Sequence, residues 1–272
     1  MKRMYDFGRA PAKRDYTVKD LKDLKGSGTV LSDESRQQVR VDLAAAFRLT
    51  ARMNMHEGIS NHFSYVVADD PCTFLVNPYG KHFSKMRASD LITVDATDRA
   101  ELDRGDVDQT AWWIHGVIHR AMPKARCIMH VHSKYATVLA SLRDKTLPAI
   151  DQNTARFFER VAIDERFDGM GVDDEAERLA AELDGKPIVL MGNHGFMAIA
   201  PTVAQAFDEM YFFERSAETY ITALSTGREL HVLKDEVARK TARQWEYYAS
   251  SADRHLAALK EILDEEEPEY SH

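Results

Sequence analysis

Short apolar runs of strand length alternate with longer segments of helical periodicity along most of this chain, and that alternation limits the fold more than any other feature. Strands are expected over residues 63–68, 73–76, 91–94, 127–131, 188–191 and 196–200. Each is an apolar or β-branched run, with turn residues such as Asn77-Pro78-Tyr79-Gly80 or Gly192-Asn193-His194-Gly195 between them. Helices are expected over 33–54, 110–122, 133–142, 173–183, 202–224 and 234–263, where apolar side chains recur at helical spacing. Strands and helices that interleave in this way build an α/β layered domain. In 272 residues there is no internal repeat and no Pro/Gly/Ser-rich linker, which favours a single domain. The expected organisation is an N-terminal arm over 1–32, a main domain over 33–230, and a C-terminal helix with an acidic tail over 231–272 packed on the same domain. The run Glu265-Glu266-Glu267-Pro268-Glu269 reads as solvated.

Charge and composition narrow the function. A formal net charge of −8 argues against nucleic acid or an anionic membrane as partner. No run reaches the ~18 apolar residues of a membrane span. Residues 1–14 mix Lys2, Arg3, Asp6, Arg9 and Lys13 without the apolar stretch of a secretion signal, so a cytoplasmic location is expected. Two cysteines, Cys72 and Cys127, cannot build a disulfide framework or a cysteine-based zinc site. Neither a G-x-S-x-G elbow nor a G-x-x-x-x-G-K-[ST] loop occurs, and Gly169-Met170-Gly171 does not complete a dinucleotide fingerprint. Eleven histidines set against two cysteines leave imidazole nitrogen as the ligand for any metal.

The histidines differ in their settings. His130-Val131-His132 closes the apolar run Cys127-Ile128-Met129, and alternate strand residues project to one face. The pair is either the start of a metal site or one core and one surface histidine. His194 lies between glycines directly after another strand, where the backbone can turn sharply. Together, His130, His132 and His194 would make a three-imidazole site with an open position, the catalytic rather than the structural arrangement. His115 and His119 are four apart and share a helix face, where one of them could serve as ligand or proton shuttle. His62 stands at a loop-to-strand junction, placed to hydrogen-bond a substrate oxygen.

These stretches resemble the class II aldolase/adducin family. Asn61-His62-Phe63-Ser64, Asn77-Pro78-Tyr79-Gly80, Ser89-Asp90-Leu91, Ile114-His115, Met129-His130-Val131-His132, Leu147-Pro148-Ala149-Ile150 and Gly192-Asn193-His194-Gly195-Phe196 follow the family's order across residues 35–225. The resemblance implies a three-layer αβα sandwich around a central mixed, mostly antiparallel sheet. It also implies one divalent ion per subunit on His130, His132 and His194, zinc first with iron or manganese as alternatives, and a homo-oligomer, commonly a tetramer. Four features depart from the aldolase pattern. The helix-start glutamate reads Ala111, the serines before it read Gln109 and Thr110, the phosphate-holding Thr-Pro-x-Gly reads Asn77-Pro78-Tyr79-Gly80, and a late proton-donating tyrosine reads Gln152.

The expected activity is therefore a metal-dependent carbon–carbon lyase, aldolase or decarboxylase, on a small non-phosphorylated hydroxy, keto or aromatic acid. His115 is the candidate for proton transfer in place of the missing glutamate, and His62 for contact with the substrate. Asn77, Tyr79 and Gln152 are candidates to shape the pocket. The resemblance leaves two alternatives: a non-haem Fe(II) oxygenase on a hydroxyaryl acid, or a non-catalytic adducin-like binding domain, against which the three histidines argue.

Overall fold

The computed structural model describes residues 31–68, 70–122, 126–167, 169 and 175–272, so the expected arm lies outside the described residues as far as residue 30. Helix α1 (Asp33–Arg52) leads into β1 (His62–Val66), β2 (Thr73–Val76) and β3 (Ile92–Asp95). Next come α2 (Gln109–Ala121), β4 (Cys127–Val131), α3 (Lys134–Ala140), α4 (Gln152–Arg156), β5 (Val161–Asp164) and α5 (Glu175–Glu182). The strands β6 (Ile188–Met191) and β7 (Gly195–Ala200) precede α6 (Val203–Ser225), α7 (Asp235–Tyr247) and α8 (Ser251–Glu266).

These strands make one seven-stranded sheet in the order β3-β2-β1-β4-β7-β6-β5. Every pairing is antiparallel except that of β5 with β6. Helices cover both faces, and β4 shows how. All five of its residues are buried, so it reads as a continuous apolar run rather than an alternating one. Cys127, Met129 and Val131 join the core that α1 and α6 close with Leu43, Phe47 and Phe213. Ile128 joins the opposite core, with Ile114 and Ile118 of α2 and Leu179 of α5. With a side-chain period of two, His130 shares the face of Ile128, towards α2. That parity decides on which side of the sheet the site forms.

Local chemistry accounts for the element ends. The hydroxyl of Ser32 accepts from the Ser35 N–H at 3.2 Å and starts α1. Asp108 caps α2, accepting from the Ala111 N–H at 3.0 Å.

Two expectations for the C-terminal part are corrected. The helix expected over 234–263 is two helices, broken where the Tyr248 N–H turns back to the Gln244 and Trp245 carbonyls and Ser250 precedes a new start. The acidic run is not simply solvated. Arg48, its side chain 4% exposed, holds Glu267 at 2.6 Å and Glu269 at 2.8 Å, and Arg52 pairs with Glu266 and Glu267. Burial works against the Glu267 carboxylate, yet hydrogen bonds from Arg48 and Arg52 outweigh it and keep its pKa below the usual range. Tyr270 is buried behind this clamp and donates to Asp264 at 2.7 Å.

Candidate metal centre

His130 stands opposite His62 of β1 and Met197 of β7 in the ladder, near the end of β4. His132 follows that end, and His194 arrives from the tight hairpin in which Met191 pairs with Gly195. The positive φ of that hairpin, 56°, falls on Asn193, a residue type that tolerates it. The neighbouring glycine serves close approach instead. A Cβ on Gly195 would lie 2.5 Å from the Val131 carbonyl oxygen and 2.8 Å from His132 Cδ2, so a residue without a side chain is needed for β7 to close on His132.

The Phe196 carbonyl can only accept, so His130 Nδ1–H donates to it at 3.0 Å. This leaves the His130 Nε2 lone pair facing His132 Nε2 at 2.9 Å. One nitrogen each from His130, His132 and His194 falls within 4.8 Å of the other two. Ring centroids are 4.8 Å apart for His130 and His132, 5.0 Å for His130 and His194, and 4.7 Å for His132 and His194. Burial, and after it the neighbouring imidazoles, lowers their pKa values: His130 well below 6.5, His132 and His194 to about 4. All three rings are therefore neutral near pH 7, the form that ligates a metal. Three neutral imidazoles, one with its tautomer fixed by a carbonyl, fit a divalent transition metal or zinc. Phe167, half exposed, lies with its ring 6.2 Å from that of His194 and puts an aromatic edge beside the group.

A second set of polar groups runs inwards between β1 and α2. The His62 ring lies 4.9 Å from that of His130. His62 Nδ1 meets His115 Nε2 at 2.7 Å, and Ser64 Oγ meets both His115 Nδ1 at 2.5 Å and His119 Nε2 at 2.8 Å. On its other side His62 Nε2 lies 3.3 Å from Thr110 Oγ1, which is 2.5 Å from Asp108 Oδ1. Burial lowers His62 to about 4 against the opposing pull of Asp108, and lowers His115 well below the ordinary value.

The sequence-predicted residues fall into distinct places. His130, His132 and His194 converge, and His62 lies against them. His115 is linked to the triad through His62, and both of its ring nitrogens have protein partners. Asn77 braces the strand ends: its Oδ1 accepts from Phe63 N–H at 3.1 Å and its Nδ2 donates to the Asn61 carbonyl at 3.3 Å. Tyr79 is 53% exposed. Gln152 opens α4 and lines a different cavity together with Trp245 and Tyr248. Ala111 is fully buried in an apolar cluster with Val66, Phe74, Val94 and Trp112.

Sequence reasoning passes over Asp108 and Glu214, and it quotes Ser64 and Thr110 without giving either a role. Strand period two was a usable signal for Ser64, which shares the face of His62. The helix N-cap pattern was one for Asp108. Glu214 of α6 carries no local signal, yet its Oε2 accepts from Ser133 Oγ at 2.5 Å and Ala136 N–H at 2.9 Å. Its Oε1 accepts from Tyr135 N–H at 2.9 Å. It thereby pins the start of α3 immediately after His132.

Residues 41–221 match the profile of the class II aldolase and adducin N-terminal domain. A putative aldolase class 2 protein of Caulobacter vibrioides is 31% identical over 219 residues, 78% of this chain and 82% of that protein. The decarboxylase NovR of Streptomyces niveus is 29% identical over 215 residues, 78% of each. The crystal structure of an aldolase II superfamily protein from Pseudomonas syringae superposes with a TM-score of 0.79 at 29% identity, covering 89% of this chain and 98% of that one.

Proposed function

Because the chain belongs to the class II aldolase and adducin family, we propose that it is a divalent-metal-dependent carbon–carbon lyase acting on a small, non-phosphorylated hydroxy, keto or aromatic acid. The observation that carries this reading is the convergence of neutral His130, His132 and His194 within 4.8 Å. A divalent ion there, zinc first with iron or manganese as alternatives, supplies a Lewis acid that draws electron density from a substrate oxygen. The Phe196 carbonyl keeps His130 in its ligating tautomer. Phe167 offers an apolar edge to the organic part of the substrate.

Between aldol cleavage and decarboxylation, Ala111 favours the second. Aldol cleavage takes a proton from a hydroxyl before the bond breaks, and the buried methyl of Ala111 can take none. Decarboxylation releases CO2 first and needs a proton only afterwards. A relative named as a decarboxylase supports the same choice. A homo-oligomer, tetrameric as the family resemblance implies, and a cytoplasmic location belong to this reading.

The test is metal analysis of purified protein, followed by anaerobic assay of CO2 release with a panel of keto, hydroxy and aromatic acids. A stoichiometric divalent ion and oxygen-independent turnover are expected, both lost in His130→Ala and His132→Ala. Turnover that survives these variants, or protein that takes up no ion, refutes the proposal. Strict dependence on Fe2+ and dioxygen would favour an oxygenase instead.

A further inference from the structure

Hydrogen bonds have a direction, and the row of groups behind the triad has only one consistent direction. The Asp108 carboxylate can only accept, and it is held in place by the Ala111 N–H at the start of α2. The Thr110 hydroxyl, 2.5 Å away, therefore donates to it. Thr110 Oγ1 is then the acceptor for His62, whose proton sits on Nε2. A neutral His62 has a bare Nδ1, which accepts from His115 Nε2–H at 2.7 Å. His115 Nδ1 is bare in turn and accepts from the Ser64 hydroxyl, whose oxygen accepts from His119 Nε2–H. A single acceptor-only group at one end thus orders the chain as far as His119. Reversing it would take the Thr110 proton away from the carboxylate and lose the one charge-assisted bond in the row.

Within this row His62 is the member that lies against the metal centre, its ring 4.9 Å from that of His130. A fourth imidazole would convert a three-imidazole site into a closed, structural one. We propose that Asp108, acting through Thr110, is a positioning residue that commits both nitrogens of His62 to protein partners and so withholds His62 from the coordination of an ion on His130, His132 and His194. The open positions are thereby left to substrate. This rests on the three-imidazole reading of the site.

Nuclear magnetic resonance of 15N-histidine-labelled, metal-free protein tests the ordering, because 1H–15N correlations separate the Nδ1–H and Nε2–H tautomers. Signals are assigned by their loss in His62→Gln and His115→Gln. Both rings are expected as Nε2–H in the wild type. Thr110→Val, which removes the hydroxyl but keeps the Asp108 cap, is expected to give mixed tautomers at His62 and His115, with Thr110→Ser restoring the single form. Ser64→Ala breaks the chain beyond His115 and is expected to leave His62 as it was. An Nδ1–H form at either ring in the wild type, a wild-type pattern in Thr110→Val, or reversal of His62 by Ser64→Ala overturns the ordering.

X-ray absorption on Co2+-loaded protein then counts imidazoles. Three are expected in the wild type and a gain in Thr110→Val; equal counts overturn the role given to Asp108 and Thr110. Failure of the wild type to take up Co2+ overturns the reading of the triad instead, and the ordering is then judged on the tautomers alone.

Discussion

Glu214→Gln changes one atom type on a helix that contributes no ligand, yet it should be felt at His132. Glu214 is 7% exposed, and its carboxylate accepts from Ser133 Oγ, Tyr135 N–H and Ala136 N–H. A glutamine can orient its amide two ways, and in both its NH2 faces a backbone N–H, of Tyr135 or of Ala136. One buried donor is then left without an acceptor, which costs about 1–3 kcal/mol, and the surviving bonds lose their charge assistance. The sum is about 2–4 kcal/mol, a fall of roughly 4–8 °C in melting temperature for a chain of this size. Ser133 follows His132 directly, so a loosened turn also lets that imidazole wander, and loss of such an outer partner typically weakens metal binding by about 10–100-fold. The assay is chemical denaturation of the metal-free variant beside zinc competition against a chromophoric chelator. A loss under about 0.5 kcal/mol, within the range of neutral surface changes, together with unaltered zinc affinity, would refute the claim that Glu214 holds the turn.

Three further outcomes follow from the same contacts. His62, His132 and His194 fall to about 4, and His130 well below 6.5, so unfolding takes up protons between about pH 6.5 and about 4. The metal-free protein should be most stable above that window and lose stability as pH falls through it; denaturation midpoints that stay level between about pH 7 and about pH 5 would contradict this. Arg48→Met leaves Glu267 and Glu269 without their buried partner, but both carboxylates are partly exposed, so the expected loss is about 1–3 kcal/mol. Limited proteolysis should then release the segment after α8, and an uncut tail would argue against the clamp. Ala111→Glu puts a carboxylate into a closed apolar cluster. It should destabilise by about 2–5 kcal/mol and gain no sugar-phosphate aldol cleavage, so a stable variant with that activity would overturn the reading of this position.

How far the sequence reaches depends on whether a feature is periodic. β4 and β6 are legible because they are fully buried and so appear as unbroken apolar runs, and His130 and His132 inherit their common side from the strand period. β5 escapes because Val161–Asp164 lies at the sheet edge with only alternate residues buried and charged residues on both sides, so it presents no unbroken apolar run. The break between α7 and α8 is missed because Ser250 and Ser251 sit inside an otherwise helical run, where the cap pattern is easily taken for surface polarity. The three-imidazole centre is legible as motifs. The partners of those motifs are not: Asp108 is an ordinary cap and Thr110 and Glu214 ordinary helix residues until the fold brings them to His62 and Ser133.

The histidines single out one side of the sheet. His194, His132, His130, His62 and His115 form a continuous file with successive ring centroids 4.7, 4.8, 4.9 and 4.7 Å apart, and His119 follows at 6.2 Å. An apolar wall of equal volume would pack between β1, β4 and α2 without needing a partner for any atom, whereas each buried imidazole requires one at the risk of an uncompensated polar group. The two ends of the file meet that requirement differently. From His119 to His62 the nitrogens are matched donor to acceptor, ending on the Asp108 carboxylate. At His130, His132 and His194, potential ligand nitrogens converge on one another. A packing role alone does not account for that change along a single row, whereas a rigid, ordered support behind the proposed metal centre would.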